Sequence, residues 1–161
     1  MLQNKFIKSH IQLSKIIKDL KHKNKKIVFT NGCFDLIHPG HVEYLEKAKQ
    51  LGDILVLGLN SDSSVKKIKG EKRPILKEID RVYILSCFHF VDFITTFEEE
   101  TPYELIKKIK PDILVKGGDW EINKVVGKDI VEQNGGKVVI LKYKEGYSTT
   151  NIIEKIKKLY C

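Results

Sequence analysis

Two histidines three residues apart, His38 and His41, close the stretch FTNGCFDLIHPGH. An apolar run ends at Thr30, the loop NGCFDLI follows, and Pro39 marks the first turn of a helix, where a fixed φ and a missing donor do no harm. The two histidines therefore flank a helix N-terminus, whose free N–H groups and dipole favour an anion. Gly40 lies between them and lets a ligand approach the backbone closely. Imidazoles so placed can donate to phosphoryl oxygens as charge grows in a transition state. Two other readings stand beside this one. Cys33 and Asp35 are near enough in sequence to suggest a metal, although no second cluster supplies the further ligands that structural zinc takes. A plain polar helix cap is the third.

Three more clusters carry chemistry. GLNSD, with Asn60 and Asp62, leads into a stretch bearing Lys69 and Arg73, with Arg81 shortly beyond. Arg73 and Arg81 are the only arginines in a lysine-rich chain. Arginine alone offers a planar fork for phosphate, so with Lys69 they suit a polyphosphate and its departing pyrophosphate. Lys66, Lys67 and Lys72 read as ordinary solvated lysines. In VKGGDW, Gly117 and Gly118 expose backbone groups suited to a base edge or a sugar, and Asp119 could accept from a hydroxyl or help orient a metal. A tight turn explains the glycines equally well. In EGYSTTNII, one of Ser148, Thr149 and Thr150 is expected to cap a helix, and the three together suggest a second phosphate cradle.

What the sequence lacks narrows the chemistry. It has no Ser–His–Asp logic, no G-x-G-x-x-G and no Walker A loop. No carboxylate is evidently placed as a general base. A phosphate monoester needs none, because with a second pKa of about 6 it is already largely dianionic near neutrality. Catalysis then reduces to alignment and charge stabilisation.

The elements that must position these groups alternate. Strands are expected at 25–30, 53–59, 91–97, 112–117 and 137–143, each nearly continuous in Val, Ile and Leu as in sheets covered on both faces. Helical periods occupy 11–20, 41–51, 81–88, 102–109, 124–134 and 149–159, with Gly52 and Gly135 as terminating glycines. Alternation of this kind implies a Rossmann-like α/β fold, a doubly wound, mostly parallel five-stranded sheet. It is read as a single domain over 1–161, comprising an N-terminal helical extension at 1–24 and a catalytic core at 25–161. Residues 61–78 show no clear period and read as a long functional or mobile connection. Ligands of such sheets bind beyond the carboxyl ends of the strands, and every cluster above follows a strand.

Composition excludes other classes. Apolar and charged fractions of 42% and 31% over 161 residues are those of a globular chain long enough to bury a substantial core. No apolar run approaches the roughly 18–20 residues that span a bilayer, and no signal-peptide h-region follows the lysine-rich start, so a cytoplasmic protein without a membrane partner is expected. Cys33, Cys87 and Cys161 show no C-x-x-C spacing and give no disulfide framework. The net charge of +8 invites a nucleic-acid reading, but it is lysine scattered over helix faces without interleaved aromatics.

Four segments carry a resemblance: KIVFTNGCFDLIHPGHVEYLEKAKQLGD, NSDSSVKKIKGEKRPI, DILVKGGDW and STTNII. With H-x-G-H at 38–41, they resemble the HIGH-type nucleotidylyltransferase superfamily. Within it they are similar to the D-glycero-β-D-manno-heptose 1-phosphate adenylyltransferases, which make ADP-heptose for bacterial lipopolysaccharide, often as the C-terminal half of a bifunctional kinase–transferase. The resemblance implies ATP and a sugar 1-phosphate as substrates, Mg²⁺ carried with ATP and not caged by protein side chains, a homodimer, and a separate or fused heptose kinase. It implies that His38, His41 and Lys69 act on the reacting phosphates. Thr30, Asn31, Phe34 and Gly40 would line the nucleotide cleft, Arg81 would bind phosphate, and Gly117, Gly118 and Asp119 would meet base and ribose. Ser148, Thr149 and Thr150 would hold the β- and γ-phosphates, leaving Asn60, Asp62 and Arg73 for the substrate. Two departures stand out. Asp80 precedes Arg81 where glutamate is more usual, and Tyr143 stands where glycerol-3-phosphate cytidylyltransferases have an arginine. The alternatives are transfer to glycerol 3-phosphate from CTP, transfer to a flavin or pantetheine phosphate from ATP, or, in a different class, a basic nucleic-acid-binding module.

Overall fold

Strand β1 (Ile27–Gly32) is the centre of the molecule, because both of its faces are buried and both of its edges are paired. In the computed structural model, which describes residues 5–118, 120–142 and 144–160, it is joined by β2 (Ile54–Asn60), β3 (Phe93–Phe97), β4 (Ile113–Gly117) and β5 (Lys137–Leu141). The sheet is entirely parallel, in the order β3-β2-β1-β4-β5. That order reverses direction between β1 and β4, so the crevice beyond their carboxyl ends is the topological switch point.

Strand alternation sorts the core into two layers. Val28, Leu55, Leu57 and Val115 pack under α2 (Pro39–Lys49) and α4 (Glu78–Ser86) through Leu45, Ala48, Val82 and Leu85. Ile27, Phe29, Val56 and Leu114 pack against the other face, covered by α1 (His10–His22), α5 (Tyr103–Ile109) and α6 (Lys128–Gln133). Leu13 and Ile17 of α1 are fully buried there, and the Ile7 amide donates to Ile94 O, so the N-terminal helix is part of the core.

Several boundaries differ from the sequence reading for local reasons. β1 begins two residues later, because the Lys26 amide is taken by the Asp53 carboxylate at 2.8 Å. The stretch at 61–78 is not structureless. It contains α3 (Asp62–Lys69), capped by Ser61 Oγ on the Ser64 amide and ended at Gly70 with φ +93°. Val65 is its one buried apolar residue, so no 3.6-residue stripe could announce it. The helix expected at 124–134 is split into a 3₁₀ turn, Ile122–Lys124, and α6, because Gly127 between them adopts φ +87°. Gly135 ends α6 in a left-handed conformation as expected, whereas Gly52 does not. A Cβ on Gly52 would lie 2.7 Å from Val28 Cγ2, so that glycine serves close packing. The final helix is α7 (Thr149–Tyr160).

Candidate active site

The loop from Cys33 to Ile37 carries the chain from β1 into α2, with Phe34 and Leu36 at positive φ. Asp35 holds it in place. Its buried carboxylate accepts from Arg73 Nε at 2.7 Å and from the amides of Ile75 and Leu76 at 2.8 and 2.9 Å. Burial opposes the charge, but the two amides and the guanidinium outweigh it and hold the carboxyl below its ordinary range. The Asp35 carbonyl accepts from Thr149 Oγ1 at 2.6 Å, which fastens the start of α7 to the same loop.

The histidines stand where these pieces meet. His38 is the N-cap of α2 in extended conformation, without a side-chain cap bond. Its ring stacks on His41 with centroids 3.7 Å apart and planes 19° apart, and Phe34 packs on His41 at 5.2 Å. The Nδ1 atoms of both rings are buried without a hydrogen-bond partner. Burial, then the neighbouring His38, pushes His41 down to about 4, and burial lowers His38 as well, so the neutral pair predominates near pH 7. Gly40 suits this approach, since a Cβ would lie 3.1 Å from the His38 ring and 3.2 Å from Tyr147 Cβ, closer than ordinary contact. The start of α7 thus lies against the start of α2. Ser148 is its cap, accepting from the Asn151 amide at 2.9 Å, and Thr150 is exposed. Two helix N-termini converge on one pair of neutral imidazoles, an arrangement that attracts an anion.

The basic groups divide into two kinds. Lys69 is exposed at the end of α3, and its field, with those of Arg81 and Arg73, reaches Cys33, whose thiol burial nevertheless pushes up. Arg81, expected to bind phosphate, is engaged by the protein itself in this structure. It is fully buried, and its guanidinium donates to Leu76 O, Cys33 O, Asn60 O and the Asp62 carboxylate at 2.6–3.1 Å. In this structure it is a clasp joining three segments and not an open phosphate ligand. Asn60 and Asp62, expected on the substrate side, belong to the same clasp, and Asn60 Nδ2 donates to Ser64 Oγ. Arg73 is likewise committed through Nε to Asp35. Thr30 is buried too, its hydroxyl paired with Tyr44 and donating to Val115 O. Its side chain braces α2 from beneath the cleft.

On the far side of the switch point, Gly117 ends β4 and Gly118 turns at φ +105° with its amide on Leu141 O. Asp119 lies outside the described residues. Sequence reasoning passed over Lys116, a lysine inside a strand that reads as apolar. Its ammonium donates to Asn31 Oδ1 at 2.5 Å across the β1–β4 crevice. The only signal for it was its place immediately before a glycine pair, which does not by itself say that a side chain reaches the neighbouring strand. A separate basic hollow of about 500 Å³ opens at the opposite end of the sheet, lined by Lys21, Lys25, Lys26 and Lys137. Helices α1 and α6 end there, and Lys21 donates to Lys110 O and pairs with Asp112, so these lysines answer helix carbonyl ends and a carboxylate already present.

Residues 29–155, which contain the histidine pair, Asp35, Lys69, Arg73, Arg81, Lys116 and the start of α7, match the cytidylyltransferase-like family. The chain belongs to the cytidylyltransferase-like family. Within the family it is 54% identical over 154 residues to the bifunctional protein HldE of Geobacter metallireducens, covering 96% of this chain and 31% of that protein. It is 60% identical over 138 residues to the HldE of Campylobacter jejuni subsp. doylei, covering 86% and 29%. The chain therefore spans under a third of the length of these curated relatives. Among solved structures it is similar to the lipopolysaccharide core biosynthesis protein of Thermoplasma volcanium, with TM-score 0.62 and 29% identity over 77% of this chain and 99% of the other. A pantoate–β-alanine ligase from Francisella tularensis, at TM-score 0.65 and 15% identity over 96% and 78%, shares the fold alone.

Proposed function

We propose that the chain transfers the adenylyl group of ATP to a heptose 1-phosphate, giving ADP-heptose and pyrophosphate for lipopolysaccharide core synthesis. One observation carries the nucleotidyl transfer: the stacked, neutral His38–His41 pair at the joint N-termini of α2 and α7. The choice of acceptor is supported by the four sequence segments and by the relatives above. A sugar-phosphate oxygen attacks the α-phosphorus, the new P–O bond forms as the bond to the β-phosphate breaks, and pyrophosphate leaves with the bonding pair. His38 and His41 donate to oxygens that gain charge in this step, and the N-terminus of α7, through Ser148, Thr149 and Thr150, holds the terminal phosphates. Lys69 is free to close over them. Gly117 and Gly118 offer backbone groups to base and ribose. Mg²⁺ enters as MgATP. The larger size of the relatives suits a second activity in the same polypeptide, read here as the kinase that makes the sugar 1-phosphate, and assembly as a homodimer belongs to the same proposal.

The test is pyrophosphate release with Mg²⁺, pairing each nucleoside triphosphate with heptose 1-phosphate and then with glycerol 3-phosphate. Release with ATP and the β-anomeric heptose 1-phosphate alone is expected, and His38→Ala or His41→Ala should lower kcat by roughly 10²–10³ while remaining folded. Turnover only with CTP and glycerol 3-phosphate would replace the substrates and keep the mechanism. Full turnover in both folded histidine variants would remove the catalytic assignment.

A further inference from the structure

Lys116 is a cation without an anion. It extends from the penultimate position of β4 into the crevice at the switch point, and its one hydrogen bond goes to a neutral amide oxygen, Asn31 Oδ1. Among the described residues no carboxylate lies within ion-pair distance of it. Burial pulls its pKa from 10.5 down to about 8, as expected for an ammonium that has lost water without gaining a counter-charge. Among the described residues, the lysines that do form ion pairs are all at least a quarter exposed.

Strand alternation says which side of the cleft this charge serves. Thr30 of β1 turns its hydroxyl to Tyr44 of α2, so the next residue, Asn31, turns to the opposite face of the sheet. On β4, Val115 packs in the layer under α2, Leu114 packs in the other layer, and Lys116 alternates to the side of Leu114. The Asn31–Lys116 pair is therefore on the α5 side of the switch point. The histidines and the start of α7 are on the α2 side, tied there by Thr149 on Asp35 and by Lys144 on Glu43. In-line displacement requires the attacking oxygen and the leaving pyrophosphate on opposite sides of the α-phosphorus. If α2 and α7 hold the triphosphate tail, the nucleophile enters from the side of Lys116.

We propose that Lys116, positioned by Asn31, binds the phosphate of the acceptor, the monoester whose oxygen attacks ATP. This rests on the nucleotidyl-transfer reading above. The ammonium supplies the counter-charge that lets one phosphate dianion approach a triphosphate. It stays bound to a non-attacking oxygen of the acceptor while the P–O bond forms.

Isothermal titration of wild type, Lys116→Met and Lys116→Arg tests this with three probes: α,β-methylene-ATP with Mg²⁺, heptose 1-phosphate added to that complex, and inorganic phosphate alone. The expected result is nucleotide-analogue affinity within twofold in all three proteins. The Kd for heptose 1-phosphate should rise at least tenfold in Lys116→Met and recover in large part in Lys116→Arg. Phosphate should bind wild type and not Lys116→Met, and thermal melts of the variants should match wild type. Steady-state kinetics should show the same split, with KM rising for the acceptor and not for ATP. Unchanged acceptor and phosphate affinity in Lys116→Met, or a loss confined to the nucleotide analogue, overturns the inference while nucleotidyl transfer stands. A wild-type protein that binds phosphate through Lys116 but not the analogue sinks the nucleotidyl-transfer reading and leaves the anion site. If Lys116→Met melts early, Lys116→Arg decides: wild-type stability with no acceptor binding overturns the proposal, because a second cation should serve.

Discussion

A histidine that is neutral in the folded protein makes folding sensitive to acid. His41 is held at about 4 against 6.5 in the open chain, so between those values the unfolded chain binds more protons than the native one. Stability therefore falls as pH drops through that window, and His38 adds in the same direction. The expected outcome is a Tm that declines from pH 7 to pH 5 in wild type and declines less steeply in His41→Gln, measured by thermal melts in matched ionic strength. Asp35 and the other depressed carboxyls act at lower pH, so this interval isolates the imidazoles. The same neutrality bears on function. A neutral stacked pair can sit against the apolar Phe34 in the absence of ligand, and it has room to take up positive character when phosphates arrive.

At the scale of elements, the loops that border the cleft are tied together by Arg81. Its guanidinium joins three segments, the loop after β1, the β2–α3 junction and the stretch before α4, through four hydrogen bonds. Arg81→Met would leave the buried carbonyls of Cys33 and Asn60 without this donor, at about 1–3 kcal/mol each. A total loss on the order of 3 kcal/mol is expected in urea denaturation. Arg81→Lys should recover little, since a point charge cannot span four acceptors in fixed directions. Asp35 does the complementary work from β1 toward Arg73 and α7. The two residues fix loops that have no regular backbone pairing of their own.

At the scale of the whole molecule, an all-parallel sheet gathers the ends of β1, β2 and β4 and the starts of α2 and α7 on one edge. A ligand that bridges them binds only the native state and must stabilise it. At a MgATP concentration of 100 times Kd the gain is about 2.7 kcal/mol, or a Tm rise on the order of 5–10 °C for a domain of this size. Differential scanning fluorimetry with MgATP should show that rise, and the same concentration of a nucleoside without phosphates should not. No helix among the described residues is long and apolar enough to cross a membrane.

The sequence by itself determined the succession of strands and helices along the chain, the parallel sheet, and the helix starts at Pro39 and Thr149. These follow from local facts: apolar runs with β-branched residues, a proline at N1, hydroxyls at a helix start. It did not reveal α3, whose single buried residue leaves no periodic trace. It did not show that Arg81, Asn60, Asp62 and Thr30 are tied into the scaffold, and it passed over Lys116 and the anchoring role of Asp35. Each of those depends on a partner far along the chain: Arg81 with Cys33, Arg73 with Asp35, Lys116 with Asn31. A charged side chain beside a phosphate-binding motif reads the same in sequence whether it faces solvent or is clasped by three carbonyls. Only the folding of distant segments onto one sheet edge decides which charges are spent on the scaffold and which remain for a substrate.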